Sequence, residues 1–121
     1  MNVNIVVLGF LPSDLPEVEG VRFTVLGGMD DDATSGGEKY LFLSRLGSTC
    51  QAIIFNTMRN LADYEVILLH TAYAEHSPLF GVGTHSLMSD VVYEMMANHF
   101  DSLEQVTAHL RKNYLYQQRK E

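Results

Sequence analysis

The first part of the chain alternates between apolar runs and short polar breaks, a pattern typical of β-strands. Val3 to Leu11 is almost continuously apolar and Pro12 ends it, so we expect a central strand buried on both faces. Val21 to Leu26 alternates apolar and polar side chains, which predicts a strand with one face in water. The strand-like run from Lys39 to Leu46 predicts a hairpin with the preceding strand.

The middle of the chain has one helical pattern followed by a run of β-formers. Ser48 and Gln51 have the spacing of a capping box, and the apolar stripe behind them predicts a helix that ends near Tyr64. Glu65 to Tyr73 is rich in β-formers and predicts a fourth strand. A helix between two strands makes them parallel, so the predicted sheet is mixed.

Two helices are predicted at the end of the chain. Apolar residues recur at helical spacing from Ser86 to Phe100. Asp101 and Ser102 then supply N-cap chemistry, and the pattern restarts as far as Tyr114. The sequence therefore predicts one α+β domain over residues 1–121, with a four-stranded mixed sheet and three helices in the order β-β-β-α-β-α-α.

Composition excludes several classes of function. Eight Lys and Arg against fifteen Asp and Glu give a net charge of −7, which opposes binding to nucleic acid or anionic membranes. No apolar run is long enough for a membrane span. A single cysteine cannot form an internal disulfide, so the reducing cytoplasm is the expected location.

The stretch H-S-P-L-F-G-V-G-T-H-S-L-M-S-D is the strongest candidate for a binding loop. Gly81 and Gly83 permit turns that gather backbone N–H groups, and the predicted helix start behind them favours an anion. Thr84 and Ser86 add hydroxyl groups, and His85 adds an imidazole. The loop lacks the lysine of a Walker motif and the third glycine of a dinucleotide fingerprint, and a plain structural turn is the competing interpretation.

Two arginines are candidates for a supporting role at that loop. Arg22 and Arg45 occupy alternating strand positions in the predicted sheet. If their face of the sheet meets the loop, both guanidinium groups would converge with it on a phosphate or carboxylate.

Cys50 and His70 suggest a second chemistry. A cysteine in the first turn of a predicted helix, facing a histidine on the next strand, resembles the nucleophile and base of a thiol hydrolase. A lone cysteine is more often a small buried apolar residue, so packing is the expected role. The histidine spacings match no known metal site, and we expect neither a metal nor a cofactor.

Three functional hypotheses follow, and a binding protein is favoured over an enzyme. The first is a cytoplasmic protein that holds or sequesters a small anionic, nucleotide-like ligand at the glycine-rich loop and helix start. The second is an acidic regulator or inhibitor of a basic protein partner, suggested by Asp30 to Asp32. The third is the thiol hydrolase. The wide apolar stripe from Leu87 to Phe100 also predicts a homo-oligomer.

Overall fold

The computed structural model describes residues 3–26, 45–46 and 49–112. These residues form the strands β1 (Val3–Leu8), β2 (Val21–Leu26), β3 (Ala52–Asn56), β4 (Leu79–Val82) and β5 (Asn98–Phe100). They also form the helices α1 (Asp63–Ala74), α2 (Asp90–Met95) and α3 (Leu103–Leu110), and one 3₁₀ turn, Pro12–Asp14.

The five strands form one sheet in the order β2-β1-β3-β4-β5, and every neighbouring pair is parallel. The combination of helices and strands is confirmed, but the predicted four-stranded mixed sheet is wrong. Val6 pairs with Thr24 of β2 on one side and with Ile53 of β3 on the other, so β1 is an interior strand as its apolar run predicts, while β3 is the middle strand.

Helices cover both faces of the sheet. Leu8 and Phe55 belong to the buried cluster on one face, which α1 and α2 complete with side chains such as Leu68. Ile5 belongs to the cluster on the other face, where α3 contributes Val106 and Leu110. A parallel sheet buried on both faces explains why β1, β3 and β4 consist of nearly continuous apolar residues.

The predicted helix and strand between residues 48 and 73 are exchanged in the structure. Part of the predicted helix is β3, because four consecutive residues, Ala52–Phe55, are buried and cannot lie on one stripe of a helix. The predicted strand Glu65 to Tyr73 lies within α1, which buries Glu65, Leu68, Leu69 and Ala72. That i, i+3, i+4, i+7 spacing overrides the local preference of the β-formers.

The predicted helix from Ser86 to Phe100 is also corrected. Residues 86–89 precede the helix, and Ser89 caps α2 by accepting a hydrogen bond from the Val92 N–H group at 3.4 Å. The chain leaves the helix at Met96 and enters β5. β4 is a strand that the sequence did not predict. The helix predicted after Asp101 is confirmed as α3.

The predicted ends of two other strands are also corrected. β1 ends at Leu8 rather than Leu11, because Gly9 turns the chain at a φ of 84°. Of the predicted strand Lys39 to Leu46, residues 39–44 lie outside the described residues, as does Tyr114. Arg45 and Leu46 have helical backbone, so that strand does not reach Leu46.

Within the described ranges no helix is both long and apolar enough to cross a bilayer.

His76 occupies a strained position at the end of α1. Its φ is 63°, and the His76 and Ser77 N–H groups donate to the carbonyls of Tyr73 and Ala72, both at 3.0 Å, as in a Schellman motif. His76→Gly should raise the free energy of unfolding by about 0.5–1 kcal/mol, because glycine adopts this backbone without steric cost. Urea denaturation measures the change. Glu75→Gly is the matched control and should lower stability, since Glu75 has a φ of −90°; equal effects would contradict the prediction.

Candidate functional site

All five strands are parallel, so the loops that follow them emerge at one edge of the sheet, here called the carboxyl edge. The chain leaves β1 toward the face covered by α3, where Phe10 and Leu15 pack against the buried cluster. The chain leaves β3 toward α1 on the opposite face. Connections that diverge from neighbouring strands open a crevice between them, and open α/β sheets bind ligands at such a switch point.

The structure contains this opening, here called the switch-point crevice. Its volume is about 300 Å³. The lining side chains and backbone belong to Gly9, Phe10, Leu11, Asp14, Leu26, Arg59 and Tyr64. The crevice therefore combines apolar and aromatic walls with one carboxylate and one guanidinium group.

Arg59 is the cationic residue of the switch-point crevice. Its guanidinium makes a bidentate pair with Glu65, in which Nη1 donates to Oε1 at 3.0 Å and Nη2 donates to Oε2. Oε1 also accepts the Ala62 N–H bond at 2.8 Å, which ties the pair to the start of α1. The Arg59 side chain is 36% exposed and that of Glu65 is 1% exposed, so part of the arginine side chain remains accessible from the crevice.

Gly9 allows Arg59 to lie across the end of β1. A Cβ at Gly9 would overlap Arg59 Nε and would stand 2.8 Å from the Asn56 Cβ. Arg59 Nε is buried and has no hydrogen-bond partner among the described residues. The sequence did not predict this guanidinium at the crevice, because Gly9, which makes room for it, lies 50 positions away in the chain.

The candidate loop, residues 83–86, lies at the carboxyl edge after β4 and is here called the Gly83 loop. The Gly83 N–H group donates to the Phe100 carbonyl at 2.8 Å, and the Leu87 N–H group donates to the Thr57 carbonyl at 2.8 Å. Thr57 Oγ1 donates to the His85 carbonyl at 2.7 Å. The Gly83 loop is therefore held at both ends and near its middle.

The pinned loop leaves three successive backbone donors available. The N–H groups of Thr84, His85 and Ser86 donate to no acceptor within the described residues. Thr84 and His85 are exposed, and Thr84 Oγ1 lies 3.4 Å from His85 Nδ1. These donors are not the first turn of a helix, since α2 begins only at Asp90.

The two glycines of the candidate stretch make room for Thr57. A Cβ at Gly83 would lie 2.5 Å from Thr57 Oγ1, and a Cβ at Gly81 would lie 2.7 Å from Thr57 Cγ2. Gly81 itself is a buried residue of β4, so it does not belong to the exposed loop. Thr57 is fully buried and positions the loop; its place after an apolar run was its only signal in the sequence.

The two arginines predicted to support the loop lie elsewhere. Arg22 is the second residue of β2 and pairs with Asn4, near the start of β1. Arg45 lies shortly before Gln51, and the Gln51 N–H group donates to the Asn4 carbonyl. Both arginines are therefore at the amino end of the sheet, opposite the Gly83 loop, and the structure does not bring them together with it.

Cys50 and His70 occupy different environments. Cys50 precedes β3 and is 4% exposed within the cluster under α1, whereas His70 is exposed on α1. Burial raises the pKa of the Cys50 thiol and disfavours the thiolate that a nucleophile requires. This environment supports packing as the role of Cys50.

We expect iodoacetamide to alkylate Cys50 at neutral pH about one hundredfold more slowly in the native protein than in urea, because a buried thiol reacts only after the chain opens. Intact-mass spectrometry follows the reaction. Rapid labelling of the native protein would contradict this role and support a nucleophile.

Within the described residues no three His, Cys, Asp or Glu side chains form a cluster able to hold a metal ion. The acidic run Asp30 to Asp32 lies outside the described residues. Comparisons found no matching protein-family model, no similar curated protein and no similar solved structure.

Proposed function

We propose that this protein binds and sequesters a small anionic, nucleotide-like ligand at the carboxyl edge of its sheet. The phosphate or carboxylate accepts hydrogen bonds from the Gly83 loop, and the rest of the ligand lies across the switch-point crevice. The observation that carries the proposal is the pinned loop with three free N–H groups beside a switch point.

The dimensions of the edge fit a ligand of this kind. β1 and β4 are separated by β3, so their ends are about 10 Å apart, two strand spacings. A base, a sugar and a phosphate joined in one molecule span that distance. Phe10 and Tyr64 supply ring surface for the apolar part of the ligand.

The anion is recognised mainly by backbone groups. N–H groups held in a fixed loop bind an anion without reorganisation, which favours affinity. The Arg59 charge is largely neutralised by Glu65, and the Asp14 carboxylate repels an anion. Side-chain charge therefore contributes less to the affinity than the backbone groups do.

Calorimetric titration with a panel of nucleosides and nucleoside mono-, di- and cyclic phosphates tests the proposal. We expect saturable binding of a phosphorylated member and weaker binding of its nucleoside. Gly83→Val should weaken binding far more than His85→Ala, because the valine side chain displaces the loop from Thr57. A panel without saturable binding at millimolar ligand would contradict the proposal.

Thr57→Val provides a second variant if Gly83→Val does not fold. Valine keeps the shape of the buried side chain but removes the hydrogen bond to the His85 carbonyl. We expect a folded protein with weakened binding of the phosphorylated ligand. Unchanged binding by this variant would show that the pinned loop does not hold the anion.

We further propose that the protein self-associates and is located in the cytoplasm. The lone cysteine suits a reducing compartment. Leu87, just before α2, and Val91, within it, are 54% and 60% exposed, and a second copy of the chain would cover them.

We expect sedimentation equilibrium at micromolar concentration to give a mass above the 13.6 kDa of one chain. Val91→Lys should return the protein to that mass because it places a charge in the apolar contact. The control is Ala108→Lys, at an exposed residue of α3 on the other face of the sheet, which should leave the mass unchanged. A wild-type protein that sediments as a single chain would contradict the expectation.

A further inference from the structure

A second cleft lies at the carboxyl edge between the β1–β2 connection and the start of α3, with a volume of about 660 Å³. It is here called the acidic cleft, and it is lined by Phe10, Ser13, Asp14, Leu15, Pro16, Met58, Val82, Asp101, Ser102, Leu103 and Glu104. We infer that the acidic cleft docks a segment of a partner protein in which arginine or lysine residues alternate with apolar residues.

The floor of the acidic cleft is apolar. Phe10, Leu15 and Leu103 pack against the buried cluster beneath α3, and Val82 closes the end of β4. Met58 is 38% exposed beside them. An exposed apolar floor of this kind is stabilised when apolar side chains of a partner remove it from water.

The rim of the acidic cleft carries a single sign of charge. Asp14, Asp101 and Glu104 are exposed, and the lining contains no Lys, Arg or His. Asp14 accepts a hydrogen bond from the Leu11 N–H group at 3.1 Å, which fixes its carboxylate. The carboxylates of Asp101 and Glu104 form no ion pair within the described residues.

Charge complementarity selects the occupant. Nucleic acid and anionic lipid are repelled by three carboxylates, and an acidic surface of a second copy of this chain is disfavoured at the cleft for the same reason. A basic segment satisfies the rim through its cationic groups and the floor through its apolar side chains. This inference goes beyond ligand binding and does not depend on it. Phe10 and Asp14 line both the acidic cleft and the switch-point crevice, so the inference is tested without a ligand present.

Fluorescence anisotropy with a labelled peptide of four Leu-Arg repeats tests the inference in the absence of any nucleotide. The double variant Asp101→Asn/Glu104→Gln removes two rim charges. The matched control Glu75→Gln/Glu94→Gln removes two exposed charges away from the cleft, so both proteins have the same net charge. Thermal unfolding confirms that both variants are folded.

We expect saturable binding of the Leu-Arg peptide by the wild type and binding about tenfold weaker by the cleft variant. The control should stay within about twofold of the wild type because distant charges are screened. A Gly-Arg peptide of equal length should bind more weakly, since it lacks apolar side chains. The inference is overturned by an absence of saturable binding, by equal losses in both variants, or by equal binding of the two peptides.

Discussion

Arg59→Ala should lower the free energy of unfolding by about 3 kcal/mol, because it leaves the Glu65 carboxylate buried without its counter-charge. Urea denaturation at neutral pH measures the change. The effect falls toward the lower end of the range for buried pairs, since the Arg59 side chain is partly solvated.

Two controls separate the ion pair from other losses. Arg22→Ala removes an exposed arginine from β2 and should change stability by about 0.5 kcal/mol or less. The double variant Arg59→Met/Glu65→Leu should be more stable than Arg59→Ala, because it removes both charges. A double variant less stable than Arg59→Ala would contradict this prediction, because removing both charges would then cost more than leaving the Glu65 charge unpaired.

Gly9→Ala should have the next largest effect, a loss of about 2–4 kcal/mol of unfolding free energy. The alanine would adopt a φ of 84° and its Cβ would displace Arg59. Left-handed backbone and a forced shift of packed groups each destabilise by about 1–3 kcal/mol.

Gly20→Ala is the matched control for Gly9→Ala. Gly20 has nearly the same φ, 83°, but lies before β2 at the opposite edge of the sheet. It should therefore show the backbone cost without displacement of Arg59. Equal losses in the two variants, measured by thermal unfolding, would mean that the contact between Gly9 and Arg59 contributes nothing.

The parts of the fold that the sequence predicted depend on local signals. The alternation in Val21 to Leu26 gives the bounds of β2, and the cap at Ser102 gives the start of α3. Both depend on neighbouring residues alone, so no tertiary contact was needed to find them.

The exchanged elements depend on contacts that the sequence does not display. A short run of buried apolar residues such as Ala52–Phe55 suits a strand or a helix until its neighbours are known. β4 has only four residues, one of them Gly81, and glycine argues locally against a strand. In the structure this glycine is explained by the close approach of the Met96 and Thr57 side chains.

The candidate site was only partly visible for the same reason. Gly83 and its neighbours could be selected from the sequence because glycines and hydroxyls in a loop are a local pattern. Thr57 acts through a hydrogen bond to a loop that is distant in the sequence. Arg59 pairs with the nearby Glu65, but its place in the crevice depends on the distant Gly9, which no local pattern indicates. Arg22 and Arg45 were selected for their charge, but the parallel sheet puts them at its other end.

The most direct test of ligand binding at the carboxyl edge is a ¹H–¹⁵N correlation titration of the wild-type protein with the phosphorylated ligand that binds most tightly in calorimetry. The proposal predicts the largest amide shifts at Thr84, His85 and Ser86, with smaller shifts at Gly9 and Arg59. The proposal would be contradicted if the largest shifts occurred near Arg22 and Cys50, at the amino end of the sheet. If calorimetry finds no ligand, the titration uses millimolar adenosine monophosphate, and an absence of saturable shifts would contradict the proposal.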